Sequence, residues 1–407
     1  MQINSDRLRH RLQQLAQIGR LPNGGVSRLA FSAADQDARA QTQQWLQMAG
    51  MTVRIDPAGN LIGRYPGQDE TLGAIATGSH LDTVSCGGSY DGALGVIAGV
   101  EIAQTLHDAH AHFHHPFEVI VFADEEGSMI GSKAMSGSVE SRMATLNRSN
   151  SNPLAKALTA IGGNWKAIEQ AKRQSEELHA FVELHVEQGP VLESVRAAIG
   201  IVEGIVGQRR YQITIEGQAN HAGTTPMHLR QDALVAAARV ILAVQALAND
   251  EHKQTVATVG EIHTIPNTVN VIPGTIKLTV DLRDLCDRHL NQLQSQLNQN
   301  LQTIGQETRT KIALQPTLQT PAVLADAEIQ AAIEQSCQML NTSYHYLPSR
   351  AGHDAQSLAR LTRIGMIFVP SRGGISHSAQ EYTAPQHCLQ GVQVLWQTLW
   401  QCDRQLI

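Results

Sequence analysis

The chain has 407 residues, 42% of them apolar, and a formal net charge of -6. That length exceeds what one hydrophobic core usually serves, so two domains are expected. Lys and Arg are scattered rather than clustered, which gives no reason to bind nucleic acid or an anionic membrane and favours small-molecule chemistry.

The first 19 residues are polar and helix-like, without the apolar core of a secretory signal, and no later stretch approaches the ~20 consecutive apolar residues of a membrane span. A cytoplasmic location is the expectation. The five cysteines, Cys86, Cys286, Cys337, Cys388 and Cys402, are widely spaced and hold no C-x-x-C pair. They fit free thiols in a reducing compartment, with neither a disulfide framework nor a cysteine metal site.

In chain order, Leu72–Thr77 reads as an apolar strand ending just before His80. A glycine-rich loop, a helix from about Gly92 to His107 and a strand Phe117–Ala123 follow. Such a strand–helix–strand unit sets its polar residues at the carboxyl ends of strands, where open α/β sheets bind ligands. The Asn/Ser-rich run Asn147–Asn152 has the composition of a surface loop. After Gly207 the texture changes. Arg209–Glu216 alternates as a strand, Leu229–Leu247 reads as a long helix, and Thr255–Glu261 and Thr275–Leu282 read as strands. A polar helix near His289–Ile304 and a short strand Lys311–Leu314 complete a β-α-β-β-α-β order, the pattern of a ferredoxin-like domain. Gln315–Val323, with two prolines, reads as the return crossing. The expected fold class is α/β: a larger mixed-sheet domain from residues 1–207 and 320–407, with residues 208–319 inserted as the smaller domain.

Five segments concentrate ionisable residues in apolar or glycine-rich surroundings: 78–83 (GSHLDT), 90–92 (YDG), 124–127 (DEEG), 183–189 (ELHVEQG) and 374–378 (GISHS). On a strand His80 and Asp82 share a face, so the Asp82 carboxylate can accept the spare N–H of a ligating imidazole. Alone, the pair reads first as a satisfied polar pair at a strand end and only second as a metal ligand with its partner. The strand 117–126 ends in three consecutive carboxylates that repel one another unless a cation or water offsets them. If the segment stays extended, Glu125 and Glu126 face opposite sides, one able to bind a metal and the other to act as a base. A solvated acidic turn is the competing reading. Imidazoles and carboxylates without thiolates suit Zn²⁺ or Mn²⁺, with Co²⁺ possible.

These segments, together with VELHVEQGPVLE, GQRRYQITIEGQANHAGTTPM, NTVNVIPG, DLRD and AGHDAQ, run in order from about residue 78 to 378. The chain thereby resembles the hydantoinase/carbamoylase family of amidohydrolases, which is related to aminoacylase-type dinuclear metallopeptidases. The resemblance implies two divalent ions per subunit. His80, Asp91 and His185 would hold one and Asp91, Glu126 and His377 the other, with Asp91 as the bridge and Asp82 behind His80. Glu125 matches the family's general base. His221 would stabilise the developing oxyanion, while Gln208, Asn270 and Arg283 would bind the substrate. The inserted domain would pair two subunits as a homodimer and close over the site, and His221 could be supplied by either subunit. By the same resemblance the substrate is a small carboxylate-bearing ureido or carbamoyl acid, an N-carbamoyl-L-amino acid or allantoate, cut to release ammonia and CO₂. Hydrolysis of β-ureidopropionate, ureidoglycolate or a dipeptide, and an inactive dimeric binding protein, are the alternatives. The segment after Glu126 is shorter than the aromatic-containing loop of many relatives, so a different pocket wall is expected there.

Overall fold

The computed structural model describes residues 2–139, 153–248 and 255–405; the run Asn147–Asn152 lies outside them. The chain divides into two units, Met1–Glu203 with Ala325–Ile407, and Gly204–Leu324. In chain order the strands are β1 (Thr52–Ile55), β2 (Leu61–Tyr65), β3 (Ala74–His80), β4 (Phe117–Phe122), β5 (Leu178–Val186), β6 (Ile199–Ile205), β7 (Gly207–Glu216), β8 (Asn220–His221) and β9 (Val256–Ile265). Then come β10 (Val271–Ile272), β11 (Thr275–Asp284), β12 (Lys311–Thr320), β13 (Val323–Leu324), β14 (Tyr344–Ser349) and β15 (Arg363–Val369).

In the first unit the sheet order is β1-β2-β4-β3-β5-β15-β6, with β14 also pairing β6. The central strands β4, β3, β5 and β15 are mutually parallel. Parallel strands are covered on both faces and therefore read as unbroken apolar runs rather than alternating ones. FEVIVF in β4 and AIATGSH in β3 are buried at every position. The crossover from β3 to β4 is the helix Ala93–Asp108, largely apolar and buried at every position from Ala93 to Leu106. Its one buried carboxylate, Glu101, is met by Arg7 from the helix Ser5–Leu15, Nε to Oε2 at 2.7 Å and Nη2 to Oε1 at 2.8 Å. A bidentate, charge-assisted pair of this kind satisfies a carboxylate that burial would otherwise penalise.

The second unit holds a four-stranded antiparallel sheet in the order β12-β7-β11-β9. The helices Ala233–Leu247 and Asp287–Thr308 supply apolar residues to its core alongside Tyr211, Ile213 and Ile215 of β7. The second helix buries Leu290, Leu293, Leu297, Leu301 and Ile304, a three- and four-residue spacing that makes one apolar stripe. The arrangement is the ferredoxin-like β-α-β-β-α-β order. One expectation fails in detail: 315–320 is not a crossing but the second half of β12, whose register shifts between Pro316 and Leu318. Proline lacks an N–H but is tolerated on an edge strand, which β12 is. Among the described residues no helix is long and apolar enough to cross a membrane.

Candidate metal centre

The carboxyl ends of the parallel strands bring the first unit's ionisable residues together. His80 is the last residue of β3, His185 the penultimate residue of β5, Glu125 and Glu126 lie in the turn after β4, and His377 follows β15. Asp91 precedes the crossover helix, next to Gly92, whose φ of +64° and position against His80 leave no space for a side chain. A Cβ there would lie 2.5 Å from the imidazole.

The hydrogen bonds fix how the imidazoles face. His80 Nδ1 lies 2.9 Å from the carbonyl oxygen of Asp82, and His185 Nδ1 lies 2.8 Å from that of Val186. A carbonyl only accepts, so both Nδ1 atoms carry hydrogen and the Nε2 lone pairs point inward. The Gly92 N–H donates to His185 Nε2 at 3.2 Å, which agrees. Asp91 Oδ1 lies 3.1 Å from His185 Nε2 and 3.6 Å from His80 Nε2. In the neutral rings two imidazole lone pairs and a carboxylate oxygen thus converge, an arrangement that an added proton or a cation relieves. The donor set of nitrogen and oxygen without sulfur fits a divalent ion such as Zn²⁺ or Mn²⁺.

The other oxygen of Asp91 faces a second group. Oδ2 lies 3.3 Å from His377 Nε2, and His377 Nε2 lies 3.6 Å from Glu126 Oε2. Ligand atoms of His80, Asp91 and His185 fall within 4.8 Å of one another, and so do those of Asp91, Glu126 and His377. Asp91 is common to both. Burial opposes ionisation of Asp91, but hydrogen bonds to His185 and His377 outweigh it and hold the carboxyl well below the usual carboxylate range. Burial pulls the His185 imidazole down, yet Asp91 raises its pKa to about 9, and the hydrogen bond with Asp91 raises His377 to about 8. Both groups therefore attract positive charge.

Glu125 is nearly buried, with Oε2 3.6 Å from His80 Nε2. Burial first, then the charges of Asp354 and Glu126, push its carboxyl well above the usual range. The segment that carries it is not extended, as the sequence suggested, but a turn. Asp124 has φ +57°, and its Oδ2 accepts the Ser128 N–H at 3.0 Å. The first of the three consecutive acids thus caps its own turn. Asp82 also differs from expectation. β3 ends at His80, so strand alternation does not apply, and it is the backbone carbonyl of Asp82 that meets His80, its Oδ1 standing 3.9 Å away. Its Oδ2 instead accepts the Glu126 N–H at 3.1 Å.

Glu183, His185 and His353 also present ligand atoms near one another. They read as support rather than a further ion site, because the Glu183 oxygens already accept the Ser79 hydroxyl at 2.7 Å and the Ala355 N–H at 3.1 Å. The His353 ring stands edge-on to His185 at 4.6 Å and its Nε2 lies 2.8 Å from Ser349 Oγ; it makes no side-chain cap of the helix Asp354–Leu358. Glu187 serves elsewhere, accepting the N–H groups of Val191 and Leu192 at 2.7 and 3.0 Å.

The remaining four residues lie in the second unit and form two pairs. Gln208 on β7 and Arg283 on β11 are register partners, and both donate to Asp281, Arg283 Nε at 3.0 Å to Oδ1. Arg210 Nη2 also reaches Asp281 Oδ2, at 3.1 Å. His221 on β8 and Asn270, just before β10, meet through the Ala222 N–H donating to the Asn270 carbonyl at 2.9 Å. His221 Nδ1 accepts the N–H groups of Gly223 and Thr224 at 3.0 and 3.2 Å. In the neutral ring the hydrogen therefore sits on Nε2, which becomes an outward donor.

The sequence reading missed Asp281, Gln188 as a contact of Asp91, and Ser376 and Glu381. The first was visible only as part of DLRD, and Glu381 carries no local signal at all.

Residues 76–401 match the family described as Peptidase family M20/M25/M40. An N-carbamoyl-L-amino acid amidohydrolase of Geobacillus stearothermophilus is 39% identical over 404 residues, 98% of each chain. An allantoate amidohydrolase of Bacillus subtilis is 34% identical over 394 residues, 96% of this chain and 95% of that one. A crystal structure of an amidase of the hydantoinase/carbamoylase family from Burkholderia multivorans has a TM-score of 0.92 at 34% identity, covering 99% of this chain and 98% of that one. The chain belongs to peptidase family M20/M25/M40 and, within it, to the hydantoinase/carbamoylase amidohydrolases, hydrolases of carbon–nitrogen bonds.

Proposed function

We propose that the protein is a two-metal amidohydrolase that cuts the ureido C–N bond of a small carboxylate-bearing acid, an N-carbamoyl-L-amino acid or allantoate, releasing ammonia and CO₂. The observation that carries this is Asp91, whose two oxygens each face a separate imidazole group. His80, Asp91 and His185 would hold one ion and Asp91, Glu126 and His377 the other, each Zn²⁺ or Mn²⁺, with Co²⁺ possible. Such ions, when bound, lower the pKa of an attacking water and polarise the carbamoyl oxygen.

The chain's own residues do the rest. Glu125, whose buried carboxyl has an enhanced affinity for protons, takes one from the attacking water and later gives it to the leaving nitrogen. As the planar carbon becomes tetrahedral its oxygen turns negative, and the Nε2–H of His221 is the donor suited to it. Arg283, its fork oriented by Asp281, binds the substrate carboxylate, and Gln208 and Asn270 hold its polar atoms. Asp82 supports His80 through its backbone carbonyl.

In this reading 1–207 with 320–407 is the catalytic domain and 208–319 serves dimerisation and closure. The exposed Leu234, Val235 and Leu242, together with Ile262 and Ile265 on the edge strand β9, support a homodimer. In this reading the protein works in the cytoplasm on a small acid, without a nucleic-acid or membrane partner. The higher identity to the carbamoyl-amino-acid enzyme, 39% against 34%, puts that substrate class ahead of allantoate.

The test is ammonia release by Mn²⁺- or Zn²⁺-reconstituted protein offered N-carbamoyl-L-amino acids, allantoate and a dipeptide, with a chelator control. Metal-dependent ammonia from the first or second is expected. Amino acid release from the dipeptide alone, or no turnover with metal bound, would replace the proposal with the peptidase or the binding-protein reading.

A further inference from the structure

Glu381 lies in the polar loop between β15 and the helix Pro385–Gln405, yet only 7% of it is exposed. Its Oε1 accepts the backbone N–H of Tyr90 at 2.8 Å and that of Asp91 at 3.1 Å. Its Oε2 meets Ser376 Oγ at 2.9 Å, and the same hydroxyl lies 3.0 Å from Asp91 Oδ2. One carboxyl therefore joins the segment carrying Asp91 to the segment carrying His377, and through Ser376 it reaches the Asp91 oxygen that faces His377.

The backbone is shaped to admit it. A Cβ on Gly88 would lie 2.0 Å from the Glu381 carboxyl carbon, so the turn before Asp91 wraps around that group only because residue 88 is glycine. His377 has φ +53°, a conformation that costs free energy in a non-glycine residue and persists where its surroundings hold it. The hydrogen-bonded Ser376 immediately before it is such a hold.

We propose that Glu381 is a positioning residue for the metal centre. It fixes the main chain of Asp91 and, through Ser376, sets the rotation of the Asp91 carboxylate and the place of His377. This rests on the two-ion reading above. Partners that orient a ligand without binding the metal tune its affinity. The ion held by Asp91, Glu126 and His377 depends on both segments that Glu381 joins. The ion held by His80, Asp91 and His185 has two imidazoles oriented by backbone carbonyls and depends on it less.

Glutamine is the informative replacement. Its carbonyl can accept the Tyr90 and Asp91 N–H groups while its amide donates to Ser376, so the shape of the clamp survives loss of the acid. Alanine removes every bond, and Ser376→Ala removes only the link to Asp91 Oδ2.

The experiment is Mn²⁺ titration calorimetry on wild-type protein, Glu381→Ala, Glu381→Gln and Ser376→Ala, with the visible spectrum of each Co²⁺-loaded form and circular dichroism to confirm folding. Glu381→Ala and Ser376→Ala are expected to weaken one ion by about 10- to 100-fold and alter the Co²⁺ bands, the other ion staying near wild type. Glu381→Gln should bind within a few-fold of wild type. If Glu381→Ala does not fold, Ser376→Ala carries the same comparison. Wild-type affinities and spectra in both Glu381→Ala and Ser376→Ala, or a loss in Glu381→Gln as large as in Glu381→Ala, would overturn the proposal. Wild-type protein that takes up fewer than two ions would instead contradict the two-ion reading itself.

Discussion

The side-chain amide nitrogen of Gln188 lies 2.7 Å from Asp91 Oδ2 and 3.3 Å from His377 Nε2. Gln188 Oε1, by contrast, is buried without a hydrogen-bond partner among the described residues. The amide thus occupies the mouth of the second group, donating to the oxygen that an ion there would need. Gln188→Ala should tighten that ion by about ten- to a hundredfold, since a hydrogen bond to a charged group contributes roughly 1.5–3 kcal/mol and must be broken on metal entry. Calorimetric titration checks this; unchanged or weaker binding in the variant contradicts it.

Metal uptake should release protons. In the metal-free protein His185 and His377 titrate at about 9 and about 8, so at neutral pH an ion must displace the protons they carry. Affinity should fall as pH drops below about 8, and the apparent binding enthalpy at pH 7 should vary with the ionisation enthalpy of the buffer. The sign for folding is opposite. A raised imidazole pKa stabilises the metal-free fold most below the unfolded value of about 6.5, and that contribution disappears as pH climbs to about 9. The Tm of chelator-treated protein should therefore drop across that window more steeply than that of the loaded protein.

Glu125→Gln keeps the shape of the side chain and removes the base. Turnover should fall by about a hundred- to ten-thousand-fold, the range that general-base groups contribute, with metal content unchanged. Turnover at the wild-type level would remove Glu125 from the chemistry.

Arg283 is oriented by Asp281, whose carboxyl is opposed by burial but held below its ordinary range by the Arg283 guanidinium. Lysine cannot reproduce the planar fork. Arg283→Lys should raise KM by about tenfold or more with a smaller effect on kcat, the loss of one charge-assisted hydrogen bond being about 1.5–3 kcal/mol. Asp281→Asn should move KM in the same direction. Steady-state kinetics that show only a kcat effect would contradict the binding role.

Gly92→Ala drives a Cβ into the His80 ring and places alanine at φ +64°. Strain of this kind costs about 1–3 kcal/mol, so the melting temperature and the affinity for the ion at His80 should both decline. A variant with unchanged melting and metal binding would show that the turn has room that the geometry denies.

Much of this was legible in the sequence, for physical reasons. Buried parallel strands must be apolar throughout, so FEVIVF announced itself, and β7 alternates because only one of its faces meets the helices. Ionisable residues gather at the carboxyl ends of the buried strands, so the proposed ligands His80, Glu126 and His185 could be found where apolar runs stop. Other features depend on backbone geometry or on distant partners. That Asp82 works through its carbonyl follows from where β3 ends, and the turn at Asp124 follows from a positive φ that no residue type dictates. Pro316 suggested a loop, because only the sheet order shows that β12 is an edge strand. Glu381 is polar among polar neighbours, and its burial is decided by Tyr90 and Asp91, some 290 positions away in the chain.

Metal content per chain, measured on wild-type protein, His377→Ala and Asp91→Ala after reconstitution and desalting, tests the shared-aspartate centre most directly. The geometry predicts about two ions in the wild type, about one without His377, and little of either without the carboxylate that both groups share. Two ions retained in Asp91→Ala, or a single ion in the wild type, would contradict it.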